Sequence, residues 1–212
     1  MNNIELEQLL NLKLNSEKIT DYAPNGLQVE GKVNVHKIIT GVTASQALIN
    51  DINLYSYHLP LDIHSELGNN AQLAELLGIE QLHPLEKSPM SIPVWGELRS
   101  PMTGEEFAEK IEKVLNRKPL ICIENGPCLI RKVGICTGGG QGYIDLAAAQ
   151  GCDAFVTGEV SEQTIHSARE QGIHFFAAGH HATERYGIKI LGEWLSKAYG
   201  FDVEFKDIDN PA

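Results

Sequence analysis

Cysteine is scarce in this chain and scattered. Cys122, Cys128, Cys136 and Cys152 are its four cysteines, and no two have CxxC spacing. A zinc site built from them is not expected; reduced, mostly buried thiols in a cytoplasmic protein are. No apolar run reaches the roughly 20 residues of a membrane span. The N-terminus, Met1 to Leu14, is polar and amphipathic and does not read as a signal peptide. Basic charge is also short: 17 Lys and Arg face 28 Asp and Glu, for a formal net charge of -11. That argues against nucleic acid as a partner, because phosphate binding needs a basic patch. A locally positive site built by metal ions could still take a phosphorylated ligand. Apolar residues are not lacking. At 42% of the 212 residues they match ordinary globular usage and exclude a disordered chain. The length suits one large domain or two small lobes.

The first half reads as mixed elements. Apolar positions from Ile4 to Leu14 suggest a short helix, and Asp21 to Gly26 is a turn cluster. Gly26 to Glu30 alternates like a strand. Lys37 to Val42 is a β-branched run that leads through Gly41-Val42-Thr43-Ala44-Ser45 into a helix start. Ile52 to Leu61 reads as another strand, followed by Asp62, Ile63 and His64. Asn69 to Leu77 reads as a helix stopped by Gly78. From Gln81 to Pro101 the chain is rich in proline and serine and suggests an irregular crossing between lobes. Thr103 to Leu115 reads as a helix with a capping box at Thr103 and Glu106.

The second half is more regular. Strands are predicted at Val133–Cys136, Asp153–Thr157 and Ile173–Ala178, each leading through a glycine turn into a helix, with a final strand at Asp202–Ile208. The three helices are predicted over Tyr143–Gln150, Gln163–Glu170 and Arg185–Lys197. Such a series marks an α/β fold with a mostly parallel sheet. The division expected is a first α/β lobe over 1–80, a linker and intervening segment over 81–130, and a second α/β lobe over 131–212.

The first lobe looks like a worn copy of the second. Lys37 to Ala44 corresponds in kind to Lys132 to Gly138, and Asn53 to His58 to His174 to His180. In the second lobe roughly 40 residues separate the two strands, but in the first only about a dozen, barely a parallel crossover. The first lobe therefore lacks a middle βα unit, near Leu48 to Ile52.

Chemistry concentrates at Gly179-His180-His181-Ala182-Thr183-Glu184. If a helix starts near His180, then His180 and Glu184 share one face and can grip a divalent metal. The competing reading is a histidine at the helix N-cap with a glutamate favoured by the helix dipole. His181 points elsewhere and would orient a ligand from outside. Asp62 takes the corresponding place in the first lobe, as a hard-cation ligand or as a turn residue. His58 and His64 flank it as possible ligand, acid or base, whereas His36 and His83 read as surface residues. The turn Thr137 to Gly142 could cradle phosphate or be a close-packed tight turn. Glu159, Ser161 and Glu162 sit at another strand end, where Ser161 and Glu162 read equally as a cap.

Several stretches resemble the Nif-three-like family, also called GTP cyclohydrolase 1 type 2 homologues. They are Asp21 to Gly31, Gly41 to Ser45, His58 to Asp62, Leu67 to Asn70, Cys136 to Gly140, Thr157 to Glu159, and Gly179 to Glu184. They cover nearly the whole chain in family order. The resemblance implies two similar α/β lobes with a dinuclear metal centre between them, assembled as a ring-shaped, cytoplasmic homohexamer. It implies Asp62, His180 and Glu184 as ligands of two divalent ions (zinc, iron, manganese or magnesium). Further family ligands are two adjacent histidines at the end of the first lobe's middle strand, and this sequence has no such pair there. Either that stretch has been removed from this chain, or the molecule lacks it and its metal centre is at best partial. The function expected is a metal-dependent hydrolase acting on a nucleotide or other cyclic amide or phosphorylated small molecule. His58, His64 or His181 would carry protons. The alternative is a non-catalytic metal-binding or scaffold protein acting through its ring.

Overall fold

The computed structural model describes residues 1–44, 53–88 and 90–211. The helix start expected after Ala44 and the break expected near Leu48 to Ile52 lie outside these residues.

The chain begins with helix α1 (Asn3–Leu14), closed at its start by a reciprocal capping box between Asn2 and Glu5. Strands β1 (Gly26–Val29), β2 (Lys37–Thr40) and β3 (Leu54–Ser56) follow. The strand expected over Ile52–Leu61 is thus shorter. Its second half is the one-turn helix α2 (Leu59–Asp62), because Pro60 fits the first turn of a helix, where no N–H is needed. Helix α3 (Asn69–Leu77) ends at Gly78, which takes the left-handed conformation.

The stretch expected as a linker is folded instead. It supplies β4 (Ile79–Pro84), β5 (Val94–Met102), α4 (Gly104–Leu115) and β6 (Leu120–Cys122). Pro84 closes β4 and Pro93 precedes β5, places where a missing N–H costs little. Pro101 falls in the register shift between Glu97 and Met102. Proline therefore punctuates this segment without excluding strands from it. The remainder is β7 (Ile130–Cys136), α5 (Ile144–Ala149), β8 (Ala154–Thr157), α6 (Glu162–Gln171), β9 (His174–Ala177), α7 (His180–Tyr199) and β10 (Asp202–Phe205). Helix α7 begins five residues before the expected Arg185, directly at His180.

A six-stranded sheet dominates, in the order β4-β5-β7-β8-β9-β6. Its centre, β7-β8-β9, is parallel, and its flanking ladders are antiparallel. Alternation along the strands sends Val133, Val156 and Phe176 to one face, against α3, α4 and α7. Cys136, Phe155 and Phe175 face the other side, against α5 and α6. The molecule is an α/β fold, with this sheet covered on both sides.

The first lobe is built differently. Its strands form two separate pairs, β1-β3 antiparallel and β10-β2 parallel. The last strand therefore crosses to the first lobe instead of extending the second. The apolar core here joins Leu6, Leu10 and Leu14 of α1 to Leu191 and Leu195 of α7. Helix α7 serves both cores, since Ala182 and Tyr186 near its start pack on the six-stranded sheet. No helix among the described residues is long and apolar enough to cross a membrane.

Candidate metal centre

Strands β7, β8 and β9 end side by side, and the turns that follow them converge, as expected at the carboxyl edge of parallel strands. His180 opens α7 directly after β9, with Gly179 as its N-cap at φ 97°. One turn later Glu184 lies on the same face. His180 Nε2 stands 3.2 Å from Glu184 Oε2, and His180 Nδ1 stands 2.6 Å from Glu159 Oε1. Glu159 comes from the turn after β8.

The turn after β7 wraps this pair. Gly138 sits at φ 63°, and a Cβ there would fall 2.1 Å from Glu184 Oε1 and 3.0 Å from His180 Nε2. Gly138 N–H donates to Thr183 Oγ1, and its carbonyl accepts from Gly158 N–H. The glycine turn at Thr137 to Gly142 is therefore a close approach of backbone to the His180–Glu184 pair. That resolves the choice between tight turn and phosphate cradle in favour of the turn.

Asp62 reaches the same cleft from the first lobe, at the end of α2. It is buried, and Asn69 Nδ2 donates to its Oδ1 at 2.6 Å. Asn69 Oδ1 accepts from Gly187 N–H of α7, and a Cβ on Gly187 would strike it at 2.2 Å. Asn69 thus clamps Asp62 against α7. Burial pushes the Asp62 carboxyl up to about 7, and the neighbouring Glu184 charge adds to the shift. On the other side, the Glu184 carboxylate raises His180 to about 9; burial opposes this and Glu159 assists. His180 thus holds its proton more tightly between Glu184 and Glu159, and the Asp62 carboxyl resists ionisation.

Asp62, Glu184 and His58 line one cavity of about 690 Å³. His58 Nδ1 is 2.9 Å from Asp21 Oδ1, and Tyr22 Oη is 3.4 Å from His58 Nε2. Burial works to raise the Asp21 carboxyl, but donors from Ala23, His58, Asn25 and Leu59 outweigh it and hold it at about 2. His64 is occupied elsewhere: its Nδ1 accepts from Glu66 and Leu67 N–H, and burial lowers its pKa. His181 points away from the pair, with Nε2 2.7 Å from Asp207 Oδ1. His36 and His83 are exposed.

The family model for Duf34/NIF3 (NGG1p interacting factor 3) matches residues 45–211. The chain belongs to the Duf34/NIF3 family. A Haemophilus influenzae relative named GTP cyclohydrolase 1 type 2 homolog is 71% identical over 251 positions, covering 100% of both chains. An Escherichia coli (strain K12) protein of the same name is 55% identical, again over 251 positions and all of both chains. Among solved structures, protein ybgI, described as of unknown function, superimposes with a TM-score of 0.96 at 55% identity, covering 100% of each chain. Alignments of 251 positions against a chain of 212 leave about 39 positions with no residue here.

That shortfall bears on how well a metal fits this Duf34/NIF3 chain. Two donors bound to one ion at about 2.0–2.2 Å sit some 3 Å apart, so the His180–Glu184 spacing of 3.2 Å suits a shared cation. Glu159 on the other ring nitrogen would fix the tautomer, as carboxylates behind metal-bound histidines do. Asp62 adds a buried carboxyl. Yet among the described residues no group of three or more His, Cys, Asp or Glu lies close enough to hold a metal ion. The fit is to one ion on the α7 pair, with Asp62 across the cleft. Sequence reasoning left Glu159 without a partner and did not single out Asn69 or Asp21. Glu159 was nearest to legible, since it follows the strand beside β9.

Proposed function

We propose that this protein binds a divalent cation through His180, Glu184 and Asp62, and that it is a metal-dependent hydrolase. Its substrate would be a nucleotide or another cyclic amide or phosphorylated small molecule. The observation that carries this is the His180–Glu184 pair at ligand spacing, with Glu159 seated behind the imidazole. The name shared by the Haemophilus influenzae and Escherichia coli relatives, GTP cyclohydrolase 1 type 2 homolog, supports the hydrolytic class. A bound divalent cation would supply Lewis acidity, easing deprotonation of water and stabilising negative charge. The chain's own residues prepare the seat. Asn69 orients Asp62, Glu159 orients His180, and the Asp21–His58 pair holds an ionisable imidazole on the cavity wall, placed to move a proton. For the second ion implied by the resemblance, no group of three or more His, Cys, Asp or Glu offers a seat among the described residues.

The absence of a three-donor group among the described residues favours a second reading, a non-catalytic metal-binding scaffold acting as a ring-shaped oligomer. Metal analysis of the purified protein, of His180→Ala and of Asp62→Ala, alongside hydrolysis of a nucleotide panel that includes GTP, separates the two. The hydrolase reading expects about one zinc, iron or manganese per chain, loss of metal in both variants, and turnover that follows metal content. Full metal content in both variants would overturn the site. Metal without turnover would leave the scaffold, whose homohexamer sedimentation velocity would reveal.

A further inference from the structure

After β10 the chain passes from one lobe to the other. β10 pairs with β2, and Lys206 N–H donates to the Thr40 carbonyl at 2.8 Å, so the strand belongs to the first lobe. The residues that follow bond to the start of α7 and the end of α4. Asp207 Oδ1 stands 2.7 Å from His181 Nε2, and Asp207 Oδ2 accepts from Arg185 Nη1 at 3.2 Å. Arg185 also donates to the carbonyl of Leu115, the last residue of α4. The Pro211 carbonyl accepts from Arg117 Nη2 at 2.7 Å. Arg117 in turn lies against the N-cap of α7, since a Cβ on Gly179 would fall 2.6 Å from its Nε.

Helical spacing gives these bonds their meaning. His180 and Glu184 lie one turn apart on α7, and so do His181 and Arg185. The two pairs occupy neighbouring faces, about 100° apart around the helix axis. One pair faces the cleft. The other is bridged by a single carboxylate, Asp207, and its histidine is buried. On the inner side the opening turn is tied by Gly138 N–H, which donates to Thr183 Oγ1. Gly179 brings no side-chain cap, so the tie on the outer face comes from Asp207. Any rotation that carries His180 and Glu184 out of line must stretch both Asp207 bonds.

We propose that Asp207 is a positioning residue for the metal pair. It lashes the segment after β10 to the outer face of α7, and so holds the opening turn at the angle that aims His180 and Glu184 into the cleft. The effect on metal rests on the proposed cation site; the lashing itself does not.

The test measures zinc affinity, by competition with a chromogenic chelator, on the full chain and on Asp207→Ala, Asp207→Glu and Asp209→Ala. Asp209→Ala removes the same formal charge two residues along and leaves the His181 and Arg185 bonds in place. Asp207→Ala should bind zinc about tenfold more weakly, the lower end of what partners behind a ligand contribute. Asp207→Glu, which keeps the carboxylate, should recover most of that loss, and Asp209→Ala should match the parent. With zinc removed by chelator, amide exchange at residues 183–186 should be faster in Asp207→Ala, with β7 to β9 unchanged. Undiminished affinity in Asp207→Ala, an equal loss in Asp209→Ala, or unchanged exchange at 183–186 would each overturn the proposal. Faster exchange spread over β7 to β9 would overturn it too, because Asp207 would then be a general stabiliser. A parent chain that binds no zinc would overturn the cation site, and the exchange in chelator would still decide the lashing.

Discussion

The two lobes reach the same cleft with unequal support. In the second, β7, β8 and β9 lie side by side and deliver Gly138, Glu159 and His180 from three consecutive turns. Helices cover both faces of that sheet, and Phe155, Phe175 and Phe176 are fully buried in it. In the first lobe, Asp62 and His58 hang from a three-residue strand and a one-turn helix beside a large cavity. A site is only as well placed as its poorer support, so the first lobe limits how Asp62 meets the α7 pair. The clamp from Asn69 to Gly187 is what ties it down.

The largest expected break in this comparison is a pair of core truncations. Phe155→Ala should cost about 3–5 kcal/mol, because it leaves a void in a closely packed layer. Leu195→Ala is equally buried but opens onto space that already exists, so about 2 kcal/mol or less is expected. Urea unfolding of both variants measures the difference. Equal costs would mean that the first lobe is packed as tightly as the second.

Next comes the buried carboxyl. Asp62 binds its proton more tightly folded, at about 7, than at the ordinary 3.8. Its contribution to stability is full at pH below the ordinary value and is lost as pH rises to about 7. His180, raised from 6.5 to about 9, acts in the same sense, present below 6.5 and lost as pH climbs through about 9. Between the ordinary carboxyl value of 3.8 and about 9 these two groups should therefore weaken the metal-free protein steadily, whereas below 3.8 the loss of the Asp21 charge works in the opposite direction. Asp62→Asn should recover on the order of 2–3 kcal/mol at pH 8 in chelator. Saturating zinc should reverse the ranking, because the variant loses a ligand. Thermal melts across pH, with and without metal, read both effects.

A smaller and more local effect is expected at Glu159. Glu159→Gln should lower metal affinity by roughly 10- to 100-fold, the usual cost of disturbing the partner behind a ligating histidine. The His180 titration, followed by NMR in the metal-free protein, should also move down. An unchanged affinity would show that the second lobe does not prepare its histidine in this way.

Legibility in the sequence followed the same asymmetry. The strand–turn–helix units of the second half were readable because buried parallel strands are apolar runs ended by glycine, as at Cys136-Thr137-Gly138 and Ala178-Gly179. The His180–Glu184 relation followed from helical spacing alone. What could not be read was anything set by tertiary pairing. Nothing local says that Val203 pairs with Ile38, or that the proline-rich stretch before Thr103 becomes two sheet strands. Asn69 was equally silent, since its value lies in two bonds to residues 7 and 118 positions away. The short separation between the Lys37 and Ile52 runs was visible as a spacing, because crossover length is a sequence property.

The smallest test uses matched helix starts. Helix α1 in the first lobe and α4 in the second both carry complete capping boxes, Asn2 with Glu5 and Thr103 with Glu106. Asn2→Ala and Thr103→Ala each remove the same kind of bond, and each should cost about 1 kcal/mol. Their routes should differ. Helix α4 buries Phe107, Ile111 and Leu115 against the six-stranded sheet, so its first turn opens only when the sheet does. Helix α1 packs on a core that borders the cavity, and its first turn can open while the second lobe stays folded. Amide exchange should therefore speed up throughout α1 in Asn2→Ala with no change in β7 to β9. In Thr103→Ala the loss should spread evenly over the central strands. Global loss in both variants would mean that the split first sheet unfolds cooperatively with the second lobe, and that α7, shared by both cores, couples the lobes more tightly than their separate sheets suggest.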